Sequence, residues 1–212
     1  MDTLQEIAEN LRNGEASKVA ELVQKGLDEG LEWKVILDKG LFKGMEVIGN
    51  LFREDEVFVP EVLMAAKAME AGQKVLEPAM AGASGGEKAG KVILGTVKGD
   101  IHNLGKSLVG VMLKGAGFEV IDIGIDVTAE KFIEAATSEK AQLIGMSALL
   151  TTTMPHMKTN IEALQKAGLN QVKTIIGGAC VTEQYAKEIG ADGYAENAGA
   201  AVAKVKELLG LK

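Results

Sequence analysis

The chain has 212 residues, of which 47% are hydrophobic and 25% charged, a composition typical of a globular protein of one or two domains. The net charge of −7 argues against nucleic acid as the main partner, and no apolar stretch is long enough to predict a membrane span. A single cysteine excludes an internal disulfide, and the acidic N-terminus lacks the features of a secretory signal. Together these two features predict a cytoplasmic protein.

Apolar residues recur at helical spacing in four runs before Ala79. The first two contain LQEIAENL and VAELVQKGL, the third runs from about Glu32 to Leu51, and the fourth begins at Pro60, a residue that favours the first turn of a helix. Four helices joined by short loops predict a small bundle. The small and polar residues 79–90 are the predicted linker, which gives a helical domain over 1–88 and a second domain over 89–212.

The acidic charge is concentrated in the first part of the chain. Residues 1–90 contain 10 Lys and Arg against 17 Asp and Glu, whereas residues 91–212 contain 13 of each class. A solvated helical surface explains this excess, and an acidic face for a basic protein partner is the alternative.

Apolar β-rich runs alternate with helical stretches after the linker. The runs are KVILGTV, FEVIDIG, AQLIGMSALL and VKTIIGG, and a short fifth run ends at Tyr194, Ala195 and Glu196. Strands that are apolar throughout and separated by helices predict a parallel sheet covered on both faces. The predicted fold is α/β: an N-terminal four-helix bundle followed by a five-stranded Rossmann-like or flavodoxin-like domain. Ligands are expected beyond the carboxyl ends of its strands.

The common phosphate-binding and hydrolase motifs are incomplete in this sequence. GGEKAGKV has the spacing of a P-loop, but Val92 stands where Ser or Thr would bind magnesium, and the segment precedes a strand instead of following one. No G-x-G-x-x-G follows the first strand, and no G-x-S-x-G is present. A functional P-loop, a dinucleotide site and a serine nucleophile elbow are therefore not expected.

A candidate metal ligand follows the first predicted strand. Asp100 and His102 lie two residues apart, so their side chains can share one side of an extended loop. A carboxylate that accepts from one imidazole nitrogen leaves the other nitrogen available to a metal. Because no second His or Cys is nearby, a lone imidazole suits a metal whose other ligands come with a cofactor, as in a tetrapyrrole. On this motif alone, a structural histidine that caps the following helix is the preferred interpretation.

Two further motifs fall at the ends of later predicted strands. Asp100-Ile101-His102-Asn103-Leu104-Gly105 is followed after 41 residues by Ser147-Ala148-Leu149, and after a further 27 by Gly177-Gly178. Together they resemble the D-x-H-x-x-G, S-x-L and G-G signature of the cobalamin-binding domain family. The whole chain resembles the corrinoid proteins of methyltransferase systems and the cobalamin-binding modules of cobalamin-dependent methionine synthase.

The resemblance implies roles for individual residues. His102 would be the lower axial ligand of cobalt in place of the cofactor's own base (base-off, His-on), and Asp100 would hold the other ring nitrogen. These two are the candidate catalytic residues, with Thr153 extending the hydrogen-bond relay. The displaced tail of the cofactor would lie in a slot lined by small residues, namely Gly145, Ser147, Gly177 and Gly178. The other predicted cofactor contacts are Ile101, Asn103, Gly105, Leu149, Thr151, Tyr194, Ala195 and Met64, with core packing as the alternative for Met64.

The resemblance also implies that the chain is a methyl carrier and not an enzyme by itself. Cobalt(I) would accept a methyl group from a substrate held by a partner methyltransferase. Methylcobalt(III) would then pass it to a second methyltransferase, with tetrahydrofolate or coenzyme M as the acceptor. A reductive activating protein is a further implied partner, and the helical domain would shield the cobalt and move aside during transfer.

Two questions stay open at this point. The alternative function is a cobalamin-sensing regulator, a type that usually carries an added DNA-binding or signalling domain, and this sequence shows no basic helix-turn-helix. The methyl donor is the second question, because methanol, methylamines, betaines and methoxylated aromatic compounds all serve such systems.

Overall fold

The computed structural model describes residues 2–81 and 89–211, apart from the side chains of Met80 and Ala81. These residues group into two compact units, and the second begins at Ala89. Residues 82–88 of the predicted linker lie outside the described residues. None of the helices in the described ranges combines the length and the apolar character that a membrane span needs.

The first unit is helical, as predicted. Its helices are α1 (Thr3–Arg12), α2 (Ala16–Asp28), α3 (Trp33–Val35), α4 (Lys43–Arg53) and α5 (Val59–Ala81). A π-helical segment, Ile36–Phe42, joins α3 directly to α4, so the third predicted helix is one run with an irregular middle. The core of the unit contains fully buried side chains from every helical run, among them Ile7, Leu11, Val23, Leu41, Ile48 and Leu76.

Glycine in the π segment and in α4 lets α1 approach closely. A Cβ atom at Gly40 would lie 3.0 Å from Cγ2 of Ile7, and one at Gly44 would lie 2.8 Å from the carbonyl oxygen of Ala8. The apolar spacing of the sequence therefore predicts this bundle correctly, and the two glycines permit the tight packing against α1.

The second unit is built on a five-stranded parallel sheet. Its strands are β1 (Lys91–Thr96), β2 (Glu119–Asp122), β3 (Leu143–Ser147), β4 (Lys173–Gly177) and β5 (Gly193–Ala195), in the order β2-β1-β3-β4-β5. The helices are α6 (Leu104–Gly115), α7 (Ala129–Glu139), α8 (Pro155–Lys166), α9 (Glu183–Ile189) and α10 (Ala198–Leu208). The predicted α/β fold is confirmed, and the strand order is the flavodoxin-like one.

The central strands are buried on both faces, which is why they read as apolar runs in the sequence. Ile93 of β1 and Ile144 of β3 are fully buried, and Ile176 of β4 is nearly so. On one face they pack with Phe132 of α7 and Met157 of α8 in the main core of the unit.

Strand order places a crevice at the carboxyl ends of β1 and β3. The chain leaves β1 toward β2 and leaves β3 toward β4, so right-handed connections send the two following segments to opposite faces of the sheet. The register pairs Thr96 with Ser147 and Ser147 with Gly177, which brings the ends of β1, β3 and β4 to one level. All three sequence motifs therefore meet at this edge.

Candidate functional site

Asp100 is fully buried and accepts hydrogen bonds from two loops. Its Oδ1 accepts from the backbone N–H of His102 at 3.1 Å and from ring Nδ1 of His102 at 2.7 Å. Its Oδ2 accepts from the N–H of Leu149 at 2.8 Å, the N–H of Leu150 at 3.3 Å and the hydroxyl of Thr153 at 2.7 Å. Burial alone would raise the pKa of Asp100, but the hydrogen bonds outweigh it and hold that pKa well below its usual range.

The ionised carboxylate of Asp100 fixes the tautomer of His102. A carboxylate can only accept, so in the neutral ring Nδ1 carries the hydrogen and Nε2 has the available lone pair. The His102 side chain is 46% exposed, and nothing in the described part of the chain forms a hydrogen bond with its Nε2. The carbonyl oxygen of His102 accepts from the hydroxyl of Thr96 at 2.9 Å, which ties the loop to the end of β1.

A cavity of about 690 Å³ lies beside His102 within the second unit. Side chains of the sheet form one wall, and side chains of α6 and α10 form the other. This lining is mostly apolar and includes Leu94, Val109, Leu113, Ile175, Ala201 and Val205. Ten predicted site residues also line the cavity, namely Ile101, His102, Asn103, Gly105, Gly145, Ser147, Leu149, Gly177, Gly178 and Ala195.

The other predicted site residues lie outside the cavity lining. Asp100 and Thr153 are buried in the hydrogen-bond network behind the His102 ring. Tyr194 packs against the core on the opposite face of the sheet, because successive residues of a strand point to opposite faces and Ala195 takes the cavity side. Thr151 is exposed, and Met64 lies on α5 of the first unit with 49% of its surface exposed.

Backbone packing requires the glycine pair after β4, which also lines the cavity. A Cβ atom at Gly178 would lie 1.9 Å from the carbonyl oxygen of Ala148, and Gly178 has a φ of 130°. At Gly177 a Cβ atom would lie 2.8 Å from the carbonyl oxygen of Ala195. Close backbone approach around β4 therefore requires glycine at these positions, whatever the cavity binds.

Sequence reasoning missed one charged residue of the lining, Lys106. Its side chain is 3% exposed, and its Nζ is held by both carboxylate oxygens of Asp122. A lysine in the first turn of a helix is unfavourable next to the positive end of the helix dipole, so an acidic partner is expected. The position of Lys106 in α6 was the only sequence signal for such a partner. The cavity wall from α10 was also missed, although Ala198, Ala201 and Val205 share one apolar face of that predicted helix.

The donor set fits a metal that brings most of its own ligands. Within residues 2–81 and 89–211, no three His, Cys, Asp or Glu side chains are grouped so that they could hold a metal ion. One available imidazole nitrogen, oriented by a buried carboxylate and adjoining a large apolar cavity, suits the metal and the apolar appendage of a macrocyclic cofactor.

Comparison with known proteins identifies the family. The B12 binding domain family matches residues 90–203, and a second B12 binding domain family matches residues 3–77. The chain is 47% identical over 209 residues to dimethylamine corrinoid protein 1 of Methanosarcina acetivorans, with 98% of each chain covered. It is 45% identical over 213 residues to a corrinoid protein of Desulfitobacterium hafniense, with 99% of each covered. The methanol:cobalamin methyltransferase complex of Methanosarcina barkeri contains a similar structure, with a TM-score of 0.88 and 30% identity over 98% of this chain and 80% of that chain.

The chain therefore belongs to the family of B12-binding corrinoid proteins. Within that family it is a methyl carrier of the kind found in methylamine- and methanol-type methyltransferase systems. The predicted family, the predicted binding of a corrinoid and the predicted methyl-carrier function are confirmed. The roles of individual residues and the mode of cofactor binding stay predictions.

Proposed function

We propose that the chain holds its corrinoid with Nε2 of His102 as the lower cobalt ligand and with the displaced nucleotide tail in the cavity beside the sheet. The observation that supports this binding mode is the half-exposed His102 ring, held at Nδ1 by Asp100, next to an apolar cavity of about 690 Å³. A free imidazole nitrogen and a slot for an aromatic base are the two things that base-off binding needs.

The protein's own residues orient the His102 ring and determine which of its nitrogens carries the hydrogen. When bound, the corrinoid supplies a cobalt centre that can accept a methyl group and later donate it. Asp100 keeps the His102 ring in one orientation and in the tautomer that presents Nε2. The Asp100 carboxylate accepts from Nδ1 at 2.7 Å, so Nε2 is the ring nitrogen that remains available to the cobalt.

The cavity is suited to the flat aromatic base of the nucleotide tail. Leu94 and Ile175 come from the sheet, whereas Leu113 and Val205 come from α6 and α10. The hydroxyl of Ser147 offers a hydrogen bond to a ring nitrogen at the edge of the cavity. A polar group at the rim and apolar walls behind it give orientation together with burial.

Met64 is a further proposed contact with the corrinoid. Phe58, which precedes α5, and Leu63 and Met64 in its N-terminal half are large apolar side chains that are 70%, 41% and 49% exposed. Such exposure is costly in water unless a ligand or partner covers it, and methionine adapts to irregular apolar surfaces.

The proposed partners are two methyltransferases and a reductive activating protein. One methyltransferase would hold the methylated amine or alcohol, and the second would transfer to tetrahydrofolate or coenzyme M. A chain of similar structure forms part of the methanol:cobalamin methyltransferase complex of Methanosarcina barkeri, which supports the first of these partnerships.

Two histidine variants test the binding mode. The chain contains only two histidines, so His102→Ala and the matched control His156→Ala together cover every imidazole. After loading with cobalamin, wild type and His156→Ala are expected to share a histidine-ligated visible spectrum, which His102→Ala loses and added imidazole restores. An unchanged spectrum in His102→Ala would remove His102 as the ligand.

A further inference from the structure

Two neighbouring loops continue the sheet pairing beyond the ends of β1 and β2. We call residues 97–103 the histidine loop and residues 123–127 the support loop. The N–H of Thr96 donates to the carbonyl oxygen of Gly124 at 3.0 Å, and the N–H of Val127 donates to that of Thr96 at 2.9 Å. Val97 and Val127 form a parallel bridge. The support loop therefore runs alongside the start of the histidine loop.

Asp126 in the support loop bonds the backbone on both sides of the Asp100 side chain. Its Oδ1 accepts from the N–H of Gly99 at 2.7 Å, and its own N–H donates to the carbonyl oxygen of Asp100 at 3.0 Å. Asp126 has a φ of 53°, in the left-handed region that few residues other than glycine, asparagine and aspartate adopt. In this conformation Asp126 presents both its side chain and its N–H to the same dipeptide.

The start of the support loop is itself held in place. The N–H of Gly124 donates to Oδ1 of Asp122 at 2.9 Å, and Asp122 is paired with the buried Lys106 of α6. The N–H of Ile123 donates to the carbonyl oxygen of Leu94 at 2.8 Å. These contacts therefore hold in place the segment that precedes Asp126.

We propose that Asp126 is a positioning residue for the cobalt ligand, acting through Asp100 on His102. The Asp100 carboxylate can meet the N–H of Leu149, the hydroxyl of Thr153 and the ring of His102 only if the backbone at residues 99–100 keeps its place. Asp126 fixes that backbone although it is itself exposed and adds little to the core. The inference rests on the proposed function, in which His102 is the ligand.

Substitutions at Asp126 separate its side-chain bond from its backbone conformation. Asp126→Gly keeps the left-handed conformation but removes the acceptor for Gly99, whereas Asp126→Asn keeps both an acceptor oxygen and tolerance of positive φ. Lys140→Gly is the matched control, because Lys140 has the same φ of 53° at the end of α7 and, within the described residues, forms no hydrogen bond with either loop. Thermal unfolding of each cofactor-free variant establishes that it folds.

The readouts are the fraction of loaded cobalamin with a histidine-ligated visible spectrum, the histidine-nitrogen splitting in the paramagnetic resonance spectrum of the cobalt(II) form, and the rate of cobalamin loss. Substitution of a residue that orients a metal-ligating histidine typically lowers metal affinity by about 10- to 100-fold. We expect Asp126→Gly to lose cobalamin roughly tenfold faster, with a smaller histidine-ligated fraction, and Asp126→Asn and Lys140→Gly to resemble wild type.

The outcomes distinguish this inference from the proposed function. A histidine-ligated wild type with an unchanged Asp126→Gly variant overturns the role of Asp126 alone, and so does equal impairment of Asp126→Gly and Asp126→Asn. A wild type without histidine ligation overturns the proposed function and this inference together. If Asp126→Gly does not fold, Asp126→Ala lacks the same acceptor and is judged by the same readouts.

Discussion

At the scale of single residues, Asp100 is the centre of the site, because a buried carboxylate is stable only when hydrogen-bond donors surround it. Its two oxygens accept from the ring and backbone of His102, from the N–H of Leu149 and from the hydroxyl of Thr153. The Thr153 hydroxyl lies 2.7 Å from Asp100 and 2.9 Å from the carbonyl oxygen of Leu150, but it has one hydrogen. The charged acceptor makes the stronger bond, so Asp100 receives it.

The depressed pKa of Asp100 predicts a dependence of stability on pH. An aspartate with a lowered folded-state pKa stabilises the fold above its unfolded-state value of about 3.9, and this contribution is lost as the pH falls below that value. Asp100→Asn cannot take up this proton. We therefore expect its free energy of unfolding to be lower than that of wild type at neutral pH but to fall less steeply between about pH 4 and pH 2.

Urea unfolding of the cofactor-free protein at a series of pH values measures this difference. Parallel pH profiles for wild type and Asp100→Asn would show that the carboxylate is not stabilised in the folded state. Circular dichroism at neutral pH is the control, since the comparison requires that the variant is folded there.

At the scale of elements, the sheet brings the three motifs together and also determines at which positions the backbone packing requires glycine. Gly178 follows β4 with a φ of 130° against the carbonyl oxygen of Ala148, whereas Gly105 in the first turn of α6 has nothing within 4 Å of an added Cβ. Both glycines belong to the predicted cobalamin-binding signature, and both line the cavity. Only the first is required by the packing of the backbone.

Alanine substitutions at these two glycines should therefore differ in their effect on folding. Gly178→Ala must relieve a contact of 1.9 Å with backbone in a conformation unsuited to alanine, and we expect it to lower the free energy of unfolding by more than about 2 kcal/mol. Gly105→Ala is the matched control, expected to stay within about 1 kcal/mol of wild type. Thermal unfolding of the cofactor-free proteins measures both, and equal effects would contradict the steric argument.

At the scale of the whole molecule, each of the two units buries apolar residues of its own. The helical unit buries residues such as Leu11 and Leu41, and the sheet unit buries Ile93, Phe132 and Met157. The hydrogen bonds of Asp100 and the full lining of the cavity come from residues after Ala89. The imidazole and the cavity thus require only the sheet unit.

A fragment of residues 89–212 is therefore expected to fold alone and to bind cobalamin through His102. Cooperative unfolding and a histidine-ligated visible spectrum of the loaded fragment would support the predicted domain boundary, with the His102→Ala fragment as the control. A fragment that is unfolded, or that binds cobalamin without histidine ligation, would show that residues 1–88 are needed to complete the fold or the site.

The sequence by itself determined the class of fold and the centre of the site. Helical spacing before Ala79 and unbroken apolar runs after it reflect burial, which each residue type expresses locally, so the bundle and the parallel sheet could be predicted. Asp100 and His102 lie two residues apart, so their contact is also local. The S-x-L and G-G motifs gained their meaning from spacing that matches a known family.

Beyond the positions that the family resemblance implied, the tertiary structure decided which residues from distant segments complete the site. Strand order is set by long-range pairing, and it brings the N–H of Leu149 to Asp100 and places Ala195, not Tyr194, on the cavity side. The same holds for the partner of Lys106 and for the bonds of Asp126 to the histidine loop. No local pattern specifies such contacts, because they depend on where independent elements meet in space.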